Sequence, residues 1–230
     1  HRARADLRPA AAAGMRLVAA GRALLILAMV PGFPREGQGQ SRPVIGVELG
    51  YTRASFNGNG AGDVTLHEGA VAGAYFQVPL DSWLTVRPRI QIASKGGGTT
   101  VVASDSGTRV RFGLDLVYLD VPVLFRARLP AIGGTRLILI GGGVPGLQIG
   151  CNVDLTNLQG GPLTRSKCGD LPVGIFRGWD VELLGGVGFG IPIERSELAL
   201  EARYTQGLRS ITDLGDVRNR ALTFVISVPF

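Results

Sequence analysis

Cysteine is scarce in this 230-residue chain, with Cys151 and Cys168 the only two. Histidine is as scarce, at His1 and His67. The stretch between the cysteines, CNVDLTNLQGGPLTRSKC, holds no histidine, so a zinc site of the usual Cys/His kind lacks ligands there. No apolar run approaches the ~20 residues that a membrane-spanning helix requires; the run from Ala23 to Val30 stops at Pro31-Gly32. A charge excess is also missing from most of the chain. Residues 1–41 carry six arginines and two acidic residues, and the rest carries 18 basic and 16 acidic residues. No basic stripe interleaved with aromatics remains, which excludes a nucleic-acid surface. Past residue 42 no stretch has helical periodicity.

Glycine is abundant, 35 residues, about twice the usual share, and it is scattered through strand-like segments. The segment MRLVAAGRALLILAMVPGFP has a basic start at Arg16 and Arg22, a short apolar centre and small residues after it. That order predicts a secretory signal peptide over 15–40, cleaved near Gly39, with residues 1–14 read as upstream or fragment residues that are not native. In an exported chain two cysteines predict one disulfide, Cys151–Cys168, in a long connection.

Residues 43–230 read as one domain of strand after strand. The alternation predicts eight, near 43–55, 69–79, 83–95, 108–129, 135–149, 177–192, 197–208 and 219–230. Short turns (PLDS, PAIGGT, ERSE) alternate with long polar connections, the plan of an outer-membrane barrel. An even strand number lets the first and last strands pair and leaves no edge. The fold class is therefore all-β, an eight-stranded antiparallel up-and-down transmembrane barrel with short periplasmic turns and long extracellular loops. Leu84, Val86, Pro88, Ile90 and Ile92 share one face, and Thr85, Arg87, Arg89, Gln91 and Lys95 the other. A soluble barrel would turn the apolar face inward; the loop asymmetry and the leader favour apolar outward. In VRFGLDLVYLDVPVLFRARLP, Asp115 and Asp120 have opposite parity and Pro122 lacks a donor, which predicts a bulge between the two aspartates.

Three stretches, VRPRIQIASKGGG, LDLVYLDVPVLFRARLP and LEARYTQGLRSI with VRNRALTFVISVPF, resemble the outer-membrane beta-barrel family labelled porin family protein, with its PorT-like barrel domain. The likeness runs from about residue 43 to the end. It implies an outer-membrane location in a Gram-negative-type bacterium, with Phe230 read by the barrel-assembly machinery through the C-terminal strand. Phe230 also suits an anchor in the aromatic girdle. The terminal Val-Pro-Phe departs from the Tyr-x-Phe or Arg-Phe common in the family.

Little in the chain points to catalysis. GGGVPG at 141–146 has the G-x-G-x-x-G spacing, but strand-like residues follow where a phosphate site needs a helix. His67 with Ser55 is the only pairing that suggests a lipid-modifying enzyme. Glu48, Arg87, Arg89, Glu201 and Arg203 fall in one layer of the lumen, where an eight-stranded barrel holds side chains. They predict a charge network that plugs the interior. The leading function is thus structural, adhesive or in assembly, through the outer loops, without catalytic site, cofactor or metal. The alternatives are a narrow or gated porin and an outer-membrane lipid-modifying enzyme using His67. Expected partners are outer-membrane lipid, the assembly machinery and an extracellular ligand of unspecified chemistry, for a monomer that binds no nucleic acid.

Overall fold

The computed structural model describes residues 43–59, 64–102, 108–159, 161, 163–170, 177–193, 196–213 and 215–230. The leader lies outside the described residues. Ten antiparallel strands follow one another: β1 Val44–Asn57, β2 Val64–Pro79, β3 Leu84–Val102, β4 Arg109–Asp120, β5 Val123–Ile132, β6 Thr135–Asn157, β7 Leu163–Lys167, β8 Trp179–Ile193, β9 Ser196–Gly207 and β10 Arg218–Pro229. β4 and β5 are two halves of one stave. The ladder crosses the gap between them, because Val121 donates to the Pro145 carbonyl at 2.8 Å and Arg89 to that of Pro122 at 3.0 Å. β7 only folds back on the end of β6. Eight staves remain, and they close: β1 pairs with β10 as well as with β2, so no stave edge is left open.

The staves are tilted. From Val44, paired with Gln77, the register passes by way of Arg87 to Leu124, Gly142, Leu184, Thr205 and Ala221, and it returns to β1 at Ala54. This stagger is what a closed sheet of eight strands requires. Residues far apart in strand position therefore share a level inside.

The alternation resolves with its apolar face outward. Ile45, Leu49, Ile90, Ile92, Phe189, Phe224 and Ile226 are all exposed, whereas Glu48, Arg87, Arg89 and Glu201 are buried. Only a lipid environment covers such an outer surface while satisfying the backbone internally. Tight turns join the staves at one end; that after β5 runs through Gly133 and Gly134, whose φ of 60° and 83° suits glycine. At the other end the ladders run on past the apolar band. β2 begins at Val64, β3 reaches Val102 and β6 reaches Asn157, so much of what reads as loop is strand. There the inward positions Phe56, Leu114 and Val153 are apolar and buried while Asp115 and Asp154 turn outward, so the apolar-out order of the staves is reversed before the hydrogen bonding ends.

The fourth stave corrects the expectation of an internal bulge. Leu114, Leu116, Tyr118, Asp120, Leu124 and Arg126 are all buried, so parity is unbroken between Asp115 and Asp120. The extra residue sits across the ladder on β6: Val117 pairs with Gly150 and Tyr118 with Gln148, leaving Ile149 unpaired. Asp115 simply points the other way, beyond the apolar band, where its neighbours are polar.

Candidate functional site

The lumen is the best-defined chemical feature of the molecule. Its lower layer, toward the tight turns, draws Glu48 from β1, Arg87 and Arg89 from β3, Arg126 from β5, and Glu201 and Arg203 from β9. Glu48 lies 2.8 Å from Arg89 and 2.8 Å from Arg203. Glu201 lies 2.5 Å from Arg203, 2.9 Å from Arg126 and 3.6 Å from Arg87. Gln77 accepts from Arg87 at 2.5 Å and from Arg126 at 3.4 Å, and the Arg87 guanidinium stacks 3.9 Å from the Tyr75 ring centroid. The five charges singled out in the sequence thus meet in one layer. Arg126 joins them and was missed there, although its even spacing from Asp120 and Leu124 carried the signal.

A second layer lies above. Lys95 is 3.0 Å from both Asp120 and Glu182 and sits over the Tyr118 ring, 4.8 Å from its centroid. Asn219 donates to Asp180 at 2.8 Å and to the Tyr118 hydroxyl at 3.4 Å. Gly146 makes room here, since a Cβ at that position would collide with the Asp120 carboxylate. Among the described residues five cations (Arg87, Arg89, Lys95, Arg126, Arg203) and five anions (Glu48, Asp120, Asp180, Glu182, Glu201) are buried, so the interior balances in charge. The split is uneven. The lower layer holds four arginines against two glutamates, and the upper holds one lysine against three carboxylates. Buried charges persist only when paired, and here each layer also offsets the surplus of the other.

Little space is left between the layers. A cavity of about 20 Å³ bounded by Thr52, Gln91, Lys95, Asp120 and Arg203 has room for about one water. Leu124, Ile138, Ile140, Val144 and Leu184 fill the opposite wall. Above the charges Phe56, Leu114, Leu116, Val153 and Ile211 form an apolar stopper, with Cys151 and Cys168 packed against it. Ile211 belongs to the β9–β10 connection, which turns inward and is held by the Ser210 hydroxyl, at 2.6 Å from the Gly215 carbonyl and accepting from Val217. Cys151 and Cys168 are disulfide-bonded, their Cα atoms 5.5 Å apart. Cys151 lies in β6 itself, just past the bulge at Ile149, rather than in a loop.

His67 and Ser55 are not brought together. Ser55 accepts from Arg220 Nε at 2.7 Å, while His67 Nε2 lies 3.2 Å from Ser94 Oγ and 3.4 Å from Asp115 Oδ1. A hydrolytic relay needs its hydroxyl and its carboxylate on opposite ring nitrogens, and here both sit on Nε2. Residues 141–146 are plain strand within β6, paired to β8. Phe230 ends the last stave, 79 % exposed, its backbone N–H donating to Ile45 at 2.8 Å.

Residues 37–213 match the family model described as outer membrane protein beta-barrel domain. No curated protein matches the sequence. Among solved structures, the attachment invasion locus protein Ail of Yersinia pestis is similar at 13 % identity and a TM-score of 0.42, covering 83 % of this chain and 100 % of its own. Neisserial surface protein A is similar at 12 % identity and a TM-score of 0.44, over 81 % of this chain and 97 % of its own. With its closed staves, apolar outer face and this family match, the protein is one of the Gram-negative outer membrane, and the chain belongs to the outer membrane protein beta-barrel domain family.

Proposed function

We propose that this barrel neither conducts solutes nor catalyses a reaction, and that it works through its extracellular end, as a structural, adhesive or assembly component of the outer membrane. The observation that supports this reading is the filled lumen, with ten buried charges of which nine are ion-paired and Asp180 is held by Asn219, an apolar stopper and a cavity of about one water. Narrow barrels hold side chains where wide ones hold a channel. With the interior occupied, the surfaces left for recognition are the strand extensions and connections above the membrane. There β7 and the disulfide brace the largest of them, and Arg177 is held to Asp213 at 2.6 Å across two connections. The protein acts as a monomer, and its C-terminal strand, ending at Phe230, is the element that the assembly machinery reads.

The test compares cells displaying the native barrel with cells displaying one whose connections at 58–63, 103–108, 158–178 and 208–217 are replaced by short Asn-Gly turns, with Cys151 replaced by serine. The replacement should leave the barrel inserted and abolish surface attachment or envelope integrity, whichever phenotype loss of the whole protein produces. If surface attachment and envelope integrity stay at native levels with short turns in place, the extracellular end is not the working part.

A further inference from the structure

We propose that the outer surface of β9, β10 and β1 carries a binding site for one outer-leaflet lipid with a phosphoryl headgroup. Two concavities lie one above the other on these strands. The lower, of about 640 Å³, is an apolar hollow over Ala202, walled by Leu49, Tyr51, Phe189, Leu200 and Phe224. It exists because Ala202 is the small residue in an outward row that otherwise reads Leu200 and Tyr204. The upper, of about 240 Å³, is bounded by Arg53, Ser55, Tyr204, Arg220 and Leu222. Register makes the two continuous: Ala202 faces Phe224, Phe224 faces Tyr51, Tyr204 faces Leu222 and Leu222 faces Arg53.

The upper concavity has the chemistry of an anion site. Arg220 is steadied by its Nε bond to Ser55 at 2.7 Å, and among the described residues it has no carboxylate within ion-pair distance. Arg53 has only Glu68 at 3.9 Å, and both of those side chains are largely in solvent. One guanidinium therefore has a single carboxylate at the edge of ion-pair range and the other has none, and guanidinium forks bind phosphoryl oxygens strongly. The height of the site names the occupant. Tyr51 and Tyr204 are exposed rings at the top of the apolar band, where an aromatic girdle marks the lipid interface, and the arginines stand one step above them. An acyl chain laid over Ala202 thus brings its own headgroup to Arg53 and Arg220.

The experiment measures binding of purified lipopolysaccharide to the folded, detergent-solubilised protein by native mass spectrometry. Parallel arms use the same lipid stripped of its phosphates and inorganic phosphate alone. The native protein should retain the phosphorylated lipid, and the R53Q/R220Q variant should weaken it about tenfold or more, as loss of two charge-assisted contacts implies. A202F should weaken it with no charge altered, and Glu68→Gln, by removing the competing carboxylate, should tighten it. Each variant is first checked for heat-dependent gel mobility, and the Glu68→Gln arm still decides the matter if a weakened variant does not fold. Equal binding of the stripped lipid, or no effect of R53Q/R220Q, would overturn the proposal. So would competition by inorganic phosphate that is unaffected by A202F, which describes a free-anion site. A lipid-free dimer abolished by A202F would assign the hollow to a second copy of the chain and overturn it too.

Discussion

Glu201 is the keystone of the lower lumenal layer, and replacing it with glutamine keeps its volume while deleting its charge. Three arginines lose their anion at once: Arg203, Arg126 and Arg87. They are not equally affected. Arg203 keeps Glu48 at 2.8 Å; Arg126 and Arg87 both have Glu201 as their only acidic partner among the described residues, but Arg126 is the closer at 2.9 Å, while Arg87 at 3.6 Å also donates to Gln77 and Ser227. The layer passes from four arginines and two glutamates to four and one. Stranding a buried charge in this way costs about 3–5 kcal/mol, while removing a matched pair costs far less. Glu201→Gln should therefore lose about that amount, and Glu201→Gln with Arg126→Met should recover most of it, ending within ~2 kcal/mol of the parent. Coupling with Arg203 should be smaller, because Glu48 still holds that side chain. The assay is reversible urea unfolding in lipid vesicles, followed by tryptophan fluorescence and by the folded band on unheated gels. Additive losses in the 201/126 cycle would refute the reasoning, as would a single-variant loss below ~1 kcal/mol.

Other expectations follow from the remaining parts of the molecule. Replacing Cys151 and Cys168 with serine should leave the barrel folded but speed backbone hydrogen exchange in β7, since the bridge contributes ~3 kcal/mol of local order in the chain-entropy model; unchanged exchange there would contradict a bracing role. Deleting Phe230 removes one exposed ring and the N–H bond to Ile45, so refolding in detergent should fall only modestly while insertion in cells falls severely. Phe224→Ala, which removes ~2–3 kcal/mol of apolar burial in lipid, should lower the two in proportion. If both variants behave in proportion, Phe230 is an interfacial anchor and nothing more.

Much of the barrel was legible because its periodicity is physical. A stave between lipid and lumen must alternate, so spacing separated Leu222, Phe224 and Ile226 from the polar rows that hold Glu48, Arg87 and Arg203, and the loop asymmetry with the leader decided which face was outward. Strand ends were less legible. Beyond the lipid the outer faces of β3 and β6 turn polar while their inner faces meet the apolar stopper at Val153 and Gly97, and nothing in Thr99, Thr100 or Asn152 marks them as paired. The bulge was placed on the wrong strand because a ladder irregularity belongs to two strands, and one sequence shows only a disturbed parity. Arg126 and Lys95 show the same limit from inside: spacing turns each inward, but only the tilt of the staves decides which acid each one meets.

The most direct test of a packed lumen is conductance. Purified, refolded protein is inserted into planar bilayers beside a variant opened along its whole lumen, with Arg87, Arg126, Glu201, Lys95 and Glu182 replaced by serine and Phe56, Leu116 and Ile211 by alanine. The native barrel should produce no single-channel events across the voltage range where the opened variant produces them. Steady ion-selective channels from the native protein, at frequencies that track its concentration, would contradict a filled interior and restore the porin reading.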